Sequence, residues 1–422
     1  MVGASKWGLI VTGVYVSSAG GSCPDRLCKN RPPPTRVGLS LSFKGFDVGS
    51  VLRIGVDFHA FDGKFQGSRS HLIGLYRAMV RLCPDFEFVF FLGDVEGLRN
   101  LAGFDLPNVE VVYMPPANPL KRLAWQLPIL RQRYRIDILH TQYIVPLWPA
   151  KGNAVTIHDV LFENYPQFFT PFFVWRSKWL FRRSARVADI VMTVSEYSRQ
   201  EIATRYKVQA DRIGLLRNAV DPLVFQPGGG ADEQVLTKRG LCSEGYWMTV
   251  GRIEPRKDHA TLMRAYHKLG AGVPPLVIVG QRDFGYGEFD AALKALPAGS
   301  DVRVWGDVDD KELPVLLRHA QVFIYPSLAE GFGMPPLEAM ACGVPVITSD
   351  ATALPEVVGD AGLLFAPGDA DGLARQLDAL MRDATLRQTL ARRGVERAKT
   401  YSWDEGARQL RQACLRWRSA NG

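Results

Sequence analysis

From Val51 onward one unit recurs along the chain: a short apolar run, a loop, then apolar residues at helical spacing. Val51-Leu52-Arg53-Ile54-Gly55-Val56-Asp57 reads as a buried strand, and Leu72, Leu75, Tyr76, Met79 and Leu82 place an apolar stripe on a helix over 70–82. Further strands are predicted over 86–92, 109–113, 136–140, 154–158 and 188–194, the last followed by Ser195 as the cap of a helix to Arg205. Strands that alternate with helices form a parallel sheet covered on both faces, because a parallel pair needs a long crossover connection. The alternation fades at Phe225-Gln226-Pro227-Gly228-Gly229-Gly230 and then restarts, so this Pro/Gly run is read as the domain boundary. The second series has strands over 246–250, 276–280, 302–305, 322–325 and 344–348, a helix over 260–269, and last helices over 370–398 and 403–417. The predicted class is α/β: two doubly wound parallel-sheet domains, 51–226 and 235–400, facing a cleft, with a C-terminal helix at 401–422 able to pack back on the first domain. Ligands of such sheets sit at the carboxyl ends of the strands.

Residues 1–50 stand apart as a non-core, disordered extension. Lys6 and the apolar run from Trp7 to Val16 loosely imitate a signal peptide, and Arg31-Pro32-Pro33-Pro34 has the composition of a linker. The remaining length and the 47% hydrophobic share suffice for separate cores. No stretch of roughly 20 apolar residues is free of charge, so no spanning helix is expected. The six cysteines are scattered, and Cys23 and Cys28 lack a second pair to complete a zinc site, which fits free thiols in a reducing cytosol. The net charge of +8 is compatible with nucleic acid, an anionic membrane or anionic small substrates. Its densest stretch is Arg176, Lys178, Arg182, Arg183 and Arg186, interleaved with Phe172, Phe173, Trp175, Trp179 and Phe181. That is either a solvated helix with an apolar inner face or a basic aromatic surface for a bilayer. No recognised binding module accompanies the charge, so nucleic acid is not expected as a partner.

Two segments carry chemistry. In Val322-Phe323-Ile324-Tyr325-Pro326-Ser327-Leu328-Ala329-Glu330-Gly331-Phe332-Gly333-Met334-Pro335-Pro336-Leu337-Glu338, a buried strand runs into a glycine loop that opens a helix with proline in its first turn. Backbone N–H groups of Gly331, Phe332, Gly333 and Met334 can face an anion there, and glycine lets a phosphate or sugar approach the main chain. An acid beside a diphosphate is unfavourable unless it accepts from hydroxyls, so Glu330 and Glu338 suit a sugar ring and a ribose. Acids placed only to complement the helix dipole are the plainer alternative. In Tyr246-Trp247-Met248-Thr249-Val250-Gly251-Arg252-Ile253-Glu254-Pro255-Arg256-Lys257-Asp258, a strand again ends at glycine, and Arg252 and Lys257 follow five apart. They can neutralise a departing diphosphate without a metal; a solvated basic loop is the alternative. Asp307-Val308-Asp309 imitates a metal-binding pair, but it precedes a helix from Lys311 and is read as a cap. No G-x-G-x-x-G follows a strand and no P-loop is present, which disfavours nicotinamide and P-loop enzymes.

These residues, with Ala341-Cys342-Gly343-Val344-Pro345-Val346-Ile347, resemble the retaining glycosyltransferases of family four, which adopt the GT-B fold of two Rossmann-like domains. The resemblance spans roughly 51–417. It implies that Arg252 and Lys257 bind the diphosphate, that Glu330 holds the transferred sugar as a catalytic residue, that Glu338 binds ribose, and that Val308 lies in the loop touching the nucleobase. It also implies a phosphate-side glycine at Gly67 and a second catalytic candidate, His158, in Thr156-Ile157-His158-Asp159. Ala219 replaces a usual glycine in the inter-domain segment, which puts a local turn in question.

The function implied is transfer of a hexose with retention from a nucleotide diphosphate sugar to a glycan or lipid-linked glycan hydroxyl in polysaccharide assembly. The opening around Ile54-Gly55-Val56-Asp57 and the loop at His158 look most like bacterial mannosyltransferases, favouring GDP-mannose, with UDP-glucose and UDP-N-acetylglucosamine behind it. The nucleotide-sugar is a co-substrate; no cofactor and no metal are expected. A nucleotide-sugar epimerase and a non-catalytic binder are the rival readings. The place expected is the cytoplasm, with the basic aromatic stretch offering peripheral contact to the inner membrane. Sedimentation with anionic liposomes separates the two readings of that stretch: a bilayer surface pellets with the vesicles at low salt and is released as salt rises.

Overall fold

The computed structural model describes residues 51–62, 67–148, 150–228 and 232–421. The extension over 1–50, with Cys23 and Cys28, lies outside them. Among the described residues, thirteen strands form two sheets. The first holds β1 (Leu52–Asp57), β2 (Phe86–Leu92), β3 (Val109–Tyr113), β4 (Ile138–Gln142), β5 (Asn153–Thr156), β6 (Ile190–Thr193) and β7 (Ile213–Leu215), in the order β3-β2-β1-β4-β5-β6-β7. The second holds β8 (Trp247–Val250), β9 (Leu276–Val279), β10 (Val302–Trp305), β11 (Val322–Tyr325), β12 (Val346–Ser349) and β13 (Leu363–Phe365), in the order β10-β9-β8-β11-β12-β13. Every pairing is parallel, for example Ile54 opposite Phe88 and Phe323 opposite Met248. Parallel strands buried on both faces explain why the runs are continuously apolar rather than alternating.

In each sheet the strand order reverses once, between β1 and β4 and between β8 and β11. At such a reversal the flanking loops leave on opposite sides and open a crevice at the carboxyl ends of the strands. All four of these strands end in polar or charged loops: Asp57 and His59 after β1, Gln142 and Tyr143 after β4, Gly251 to Lys257 after β8, and Tyr325 to Glu330 after β11.

Several boundaries differ from the sequence expectation for local reasons. The first helix begins at Gly67. The predicted single helix over 370–398 is two, Ala370–Arg382 and Ala384–Lys399. Asp383 sits between them in an extended conformation, and its carboxylate accepts from Leu386 N, so a local cap interrupts a continuous apolar period. The strands β7 and β13 escape the period reading because each is three residues long. Ala219 is buried and is not among the residues with positive φ, so losing a glycine there leaves no strain.

The segment joining the two sheets is held by one arginine. Arg318 donates to the carbonyls of Val224 and Gln226, each at 3.3 Å, and pairs with Asp232 at 2.9 Å. The last helix, Trp403–Asn421, lies against the helix Gly67–Leu82. Ala407, Leu410 and Cys414 complete the same core as Leu72, Leu75 and Met79. The contact is close at Gly74, where a Cβ would lie 2.2 Å from the Trp403 ring. Replacing Gly74 by Ala must therefore displace that indole, and a loss of about 1–3 kcal/mol in the urea unfolding free energy is expected.

Candidate active site

Glu330 is the centre of the crevice in the second sheet. Its Oε1 accepts from Lys257 Nζ at 2.6 Å, Ser327 Oγ at 2.6 Å and the Tyr325 hydroxyl at 3.0 Å, and it pairs with the Arg256 guanidinium at 3.1 Å. Tyr325 is the last residue of β11, while Lys257 ends a short 3-10 turn after β8, so the strand reversal brings the two loops together. Lys257 also donates to the Tyr325 hydroxyl at 2.5 Å, and Arg256 is tied to Glu254 at 2.6 Å and to the Ala329 carbonyl at 2.7 Å. The Glu330 main chain is clamped as well. Its N–H donates to Thr352 Oγ1 at 2.8 Å, and the same hydroxyl donates back to its carbonyl at 2.9 Å. Asp258 and Thr352 both adopt left-handed backbone conformations, local strain of the kind that clusters where a site is over-determined.

Burial alone would raise the Glu330 carboxyl pKa. Lys257 first, then Arg256 and Ser327, overcome this and hold it at about 2. The stabilisation from this shift is therefore complete above the ordinary value of 4.5 and is lost as the pH falls toward 2. Glu338, on the helix Met334–Ala341, is the opposite case. Burial, with Asp310 adding, pushes its carboxyl up to about 7, and no cation pairs with it among the described residues.

Arg252 lines the cleft but is half exposed, and its guanidinium is 2.5 Å from Asp283. Lys257 and Glu330 come together directly, with Arg252 on the wall nearby. Arg256 was not singled out in the sequence, although it stands beside Lys257; its contact with Glu330 depends on the turn that follows β8. The loop after Glu330 is divided in its duties. Gly331 lines the cleft, and a Cβ there would meet the Asp159 side chain at 2.7 Å. The Phe332 ring is turned into the core against Tyr401, so only its main chain can serve a ligand. Gly333, with φ of 112°, opens the helix without a side-chain cap, and Met334 takes the first helical position. Val308 follows β10 and rests its side chain on the core of the second sheet. Asp309 accepts from Lys311 N at 2.8 Å, a turn just ahead of the helix Glu312–Arg318, which itself has no side-chain cap, so the expected capping by this acidic pair is not seen.

In the first sheet, His158 follows β5 but does not reach the cleft wall. Its Nε2 is bonded to Gln142 at 2.5 Å, and its ring packs on His71 and Tyr143. Burial holds it well below the usual imidazole range, with His71 and His140 adding, so it is neutral at pH 7. Asp159, Gln142 and Tyr143 do line the cleft here, none of them singled out from the sequence. Asp159 directly follows His158; its nearness to Gly331 is a tertiary fact. Gly67 is the exposed first residue of its helix, with nothing within 4 Å of a Cβ, and Ser68 beside it lines the cleft.

The two halves are joined at this loop. The Gly331 carbonyl accepts from Ser195 Oγ at 2.6 Å and Ser198 Oγ at 3.2 Å. Beside it, the Glu356 carboxylate accepts from Glu196 N at 2.8 Å and Tyr197 N at 3.2 Å. One half thus supplies the anion for the positive end of the other half's helix Glu196–Tyr206. A cavity of about 1350 Å³ opens between β1 and β4 on one side and Glu330, Gly331, Arg252 and Arg256 on the other. No helix among the described residues is long and apolar enough to cross a membrane, and no group of three or more His, Cys, Asp or Glu side chains there is placed to hold a metal ion.

Two doubly wound parallel sheets, facing each other across a cleft with a charged loop at each strand reversal, define the GT-B fold. Residues 65–222 match the model described as Glycosyltransferase Family 4, and residues 243–397 match Glycosyl transferases group 1. The O-antigen chain mannosyltransferase B of Escherichia coli is 33% identical over 290 residues, which cover 67% of this chain and 74% of that protein. The O-antigen chain mannosyltransferase RfbU of Salmonella typhimurium is 28% identical over 54% of this chain and 60% of its own length. Among solved structures, sucrose-phosphate synthase from Thermosynechococcus elongatus superposes with a TM-score of 0.70 at 21% identity, over 88% of this chain and all of that one. The chain belongs to glycosyltransferase family four and is mannosyltransferase-like.

Two variants test this architecture. Replacing Glu330 by Ala strands Lys257 and Arg256 without their shared anion, and about 3–5 kcal/mol of stability should be lost in chemical denaturation. Replacing Glu356 by Ala uncaps the facing helix and should cost about 0.5–2 kcal/mol in the same measurement.

Proposed function

We propose that the protein transfers mannose, with retained configuration, from GDP-mannose to a hydroxyl of a glycan or lipid-linked glycan during polysaccharide assembly at the cytoplasmic side of the membrane. The observation that carries the reading is Glu330: a buried carboxylate whose Oε1 is filled by Lys257, Ser327, Tyr325 and Arg256. Such an oxygen is a poor nucleophile and a poor base, because its pKa lies far below the working pH and its lone pairs are occupied. Glu330 therefore orients the sugar through its remaining oxygen rather than attacking it. The bond between the sugar's anomeric carbon and the phosphate oxygen breaks, and the acceptor oxygen bonds the same carbon on the same face. The acceptor's proton passes to the departing phosphate.

Arg252 and Lys257 face the charge that grows on the leaving diphosphate, an interaction stronger in the transition state than in the ground state. Main-chain N–H groups from Gly331 to Met334 take a phosphate, Val308 and its loop take the base, Gly67 borders the phosphates, and Glu338 accepts from ribose. Mannose is favoured by the names of the O-antigen mannosyltransferases that this chain resembles.

A panel of nucleotide-sugars with nucleotide release read by mass spectrometry tests the donor; consumption of UDP-sugars alone, or stabilisation by UDP and not GDP, overturns GDP-mannose. Glu330→Ala should reduce turnover by roughly two to three orders of magnitude. Near-normal turnover by that variant would remove Glu330 from the mechanism. Because Glu338 must be ionised to accept from ribose, donor KM should rise as pH falls below about 7, and Glu338→Gln should flatten that profile.

A further inference from the structure

A second polar cluster lies at the strand reversal of the first sheet, across the cleft from Glu330. The strand β1 ends at Asp57, which is 1% exposed. The next residue fixes the turn, because Phe58 is buried against Phe61, Tyr76, Phe90 and Phe104. With Phe58 anchored, the side chains on either side of it meet: His59 Nδ1 lies 2.9 Å from Asp57 Oδ1. Arg122 Nε lies 3.3 Å from the other oxygen, Oδ2. Burial would raise the Asp57 carboxyl pKa, but His59 and then Arg122 hold it below its ordinary value, so it stays ionised. Arg122 opens a π-helical turn, Arg122–Gln126, whose Leu123 and Ala124 are buried. Such wide turns are rare and are frequent at functional sites.

The carboxylate decides what the two partners have left to offer. An imidazole nitrogen facing a carboxylate carries the proton, so Nδ1 donates and Nε2 of the neutral ring remains an acceptor. Arg122 gives Nε to Asp57 and keeps Nη1 and Nη2 as donors. Neither His59 Nε2 nor those two nitrogens has a partner among the described residues, and both side chains line the cavity that Glu330 lines. The charges of Asp57 and Arg122 cancel, so the cluster offers directed hydrogen bonds rather than attraction for an anion. One acceptor beside a pair of donors matches two neighbouring hydroxyls: one donates to Nε2, and the oxygen of the other accepts from the guanidinium. A phosphate or carboxylate dianion brings no proton for Nε2 and meets the Asp57 charge behind the arginine.

We propose that His59 and Arg122, both set by Asp57, form a vicinal-diol site that holds the receiving sugar by hydroxyls that do not react. The receiving group is then an uncharged sugar already in place, and the protein extends it rather than glycosylating a phosphate. The reaction that supplies this substrate must itself leave a free vicinal diol, as a preceding glycosyl transfer does. Anchoring the non-reacting hydroxyls in the first half uses remote binding to orient the reacting one toward the Glu330 side. The proposal rests on the transferase reading and adds to it the residues and the charge of the acceptor's receiving end.

The full chain has seven histidines, so histidine-selective 15N labelling gives a spectrum in which the His59 ring is identified by its loss in His59→Ala. With GDP and UDP in excess, methyl α-D-mannopyranoside and inorganic phosphate are titrated separately. The His59 ring is expected as the Nδ1–H tautomer, with an Nε2 resonance that moves on adding the mannoside and not on adding phosphate. Arg122→Lys keeps the counterion of Asp57 but loses the planar pair of donors, and should weaken the mannoside about tenfold, or about 1.4 kcal/mol. No response of His59 to the mannoside, a response to phosphate at lower concentration, or unchanged affinity in Arg122→Lys overturns the proposal. So does a shift given by the nucleotides alone, which would seat the donor's ribose there. Thermal stabilisation by nucleotide, read on the same preparation, separates the two levels. Its absence sinks the donor reading and this proposal with it, while its presence without a His59 response sinks the diol site alone.

Discussion

The contact between Lys257 and Glu330 governs the rest of the molecule. Both are buried, and burial alone would push each toward its neutral form. The pair survives because Ser327, Tyr325 and Arg256 share the same carboxylate oxygen, and because Glu254 balances the second cation. A buried pair gains little net stability over apolar residues of the same shape, so its presence points to use rather than to folding. What it supplies is a fixed carboxylate and a fixed cation at one end of a cleft, already ordered before any ligand enters.

Ordering that pair requires two sheets rather than one. The loop carrying Glu330 is held from within by Thr352 and from the facing half by Ser195 and Ser198 on the Gly331 carbonyl. Glu356 reaches across in the other direction to cap the helix that begins at Glu196. The returning C-terminal helix, with Trp403 over Gly74, adds a further tie between the chain's end and its first helix. The hydrogen bonds at Gly331 adjoin Glu330 directly, so the placement of the facing half and the geometry around Glu330 are mechanically linked.

How far the sequence could be read depended on the range of the interactions. The strands β2, β3, β10 and β11 are legible to the residue because continuous apolar runs bounded by turn formers are local signals. Ser195 as a cap is equally local. The two three-residue strands and the break at Asp383 are not, since neighbouring strands create the former and a single side-chain bond the latter. In the candidate site the same division holds. Glu330, Lys257 and the glycine loop stand out by spacing, whereas Arg256, Asp159 and Tyr143 enter only through turns that bring distant loops together. His158 stands out in sequence yet lies behind the wall, bonded to Gln142.

The sequence by itself therefore determined the class of fold, the pair of carboxylates and cations, and the family, because apolar period and residue spacing are properties of short segments. Only the tertiary structure decided that one glutamate is held strongly acidic while the other is pushed up to about 7. It also decided which aromatic residues of the helix Pro171–Val187 enter the core, as Phe181 does, and which stay exposed, as Phe172, Trp175 and Trp179 do. The reason is the same in both cases: a side chain's charge state and orientation depend on what is packed around it, and those neighbours come from strands far away in the chain.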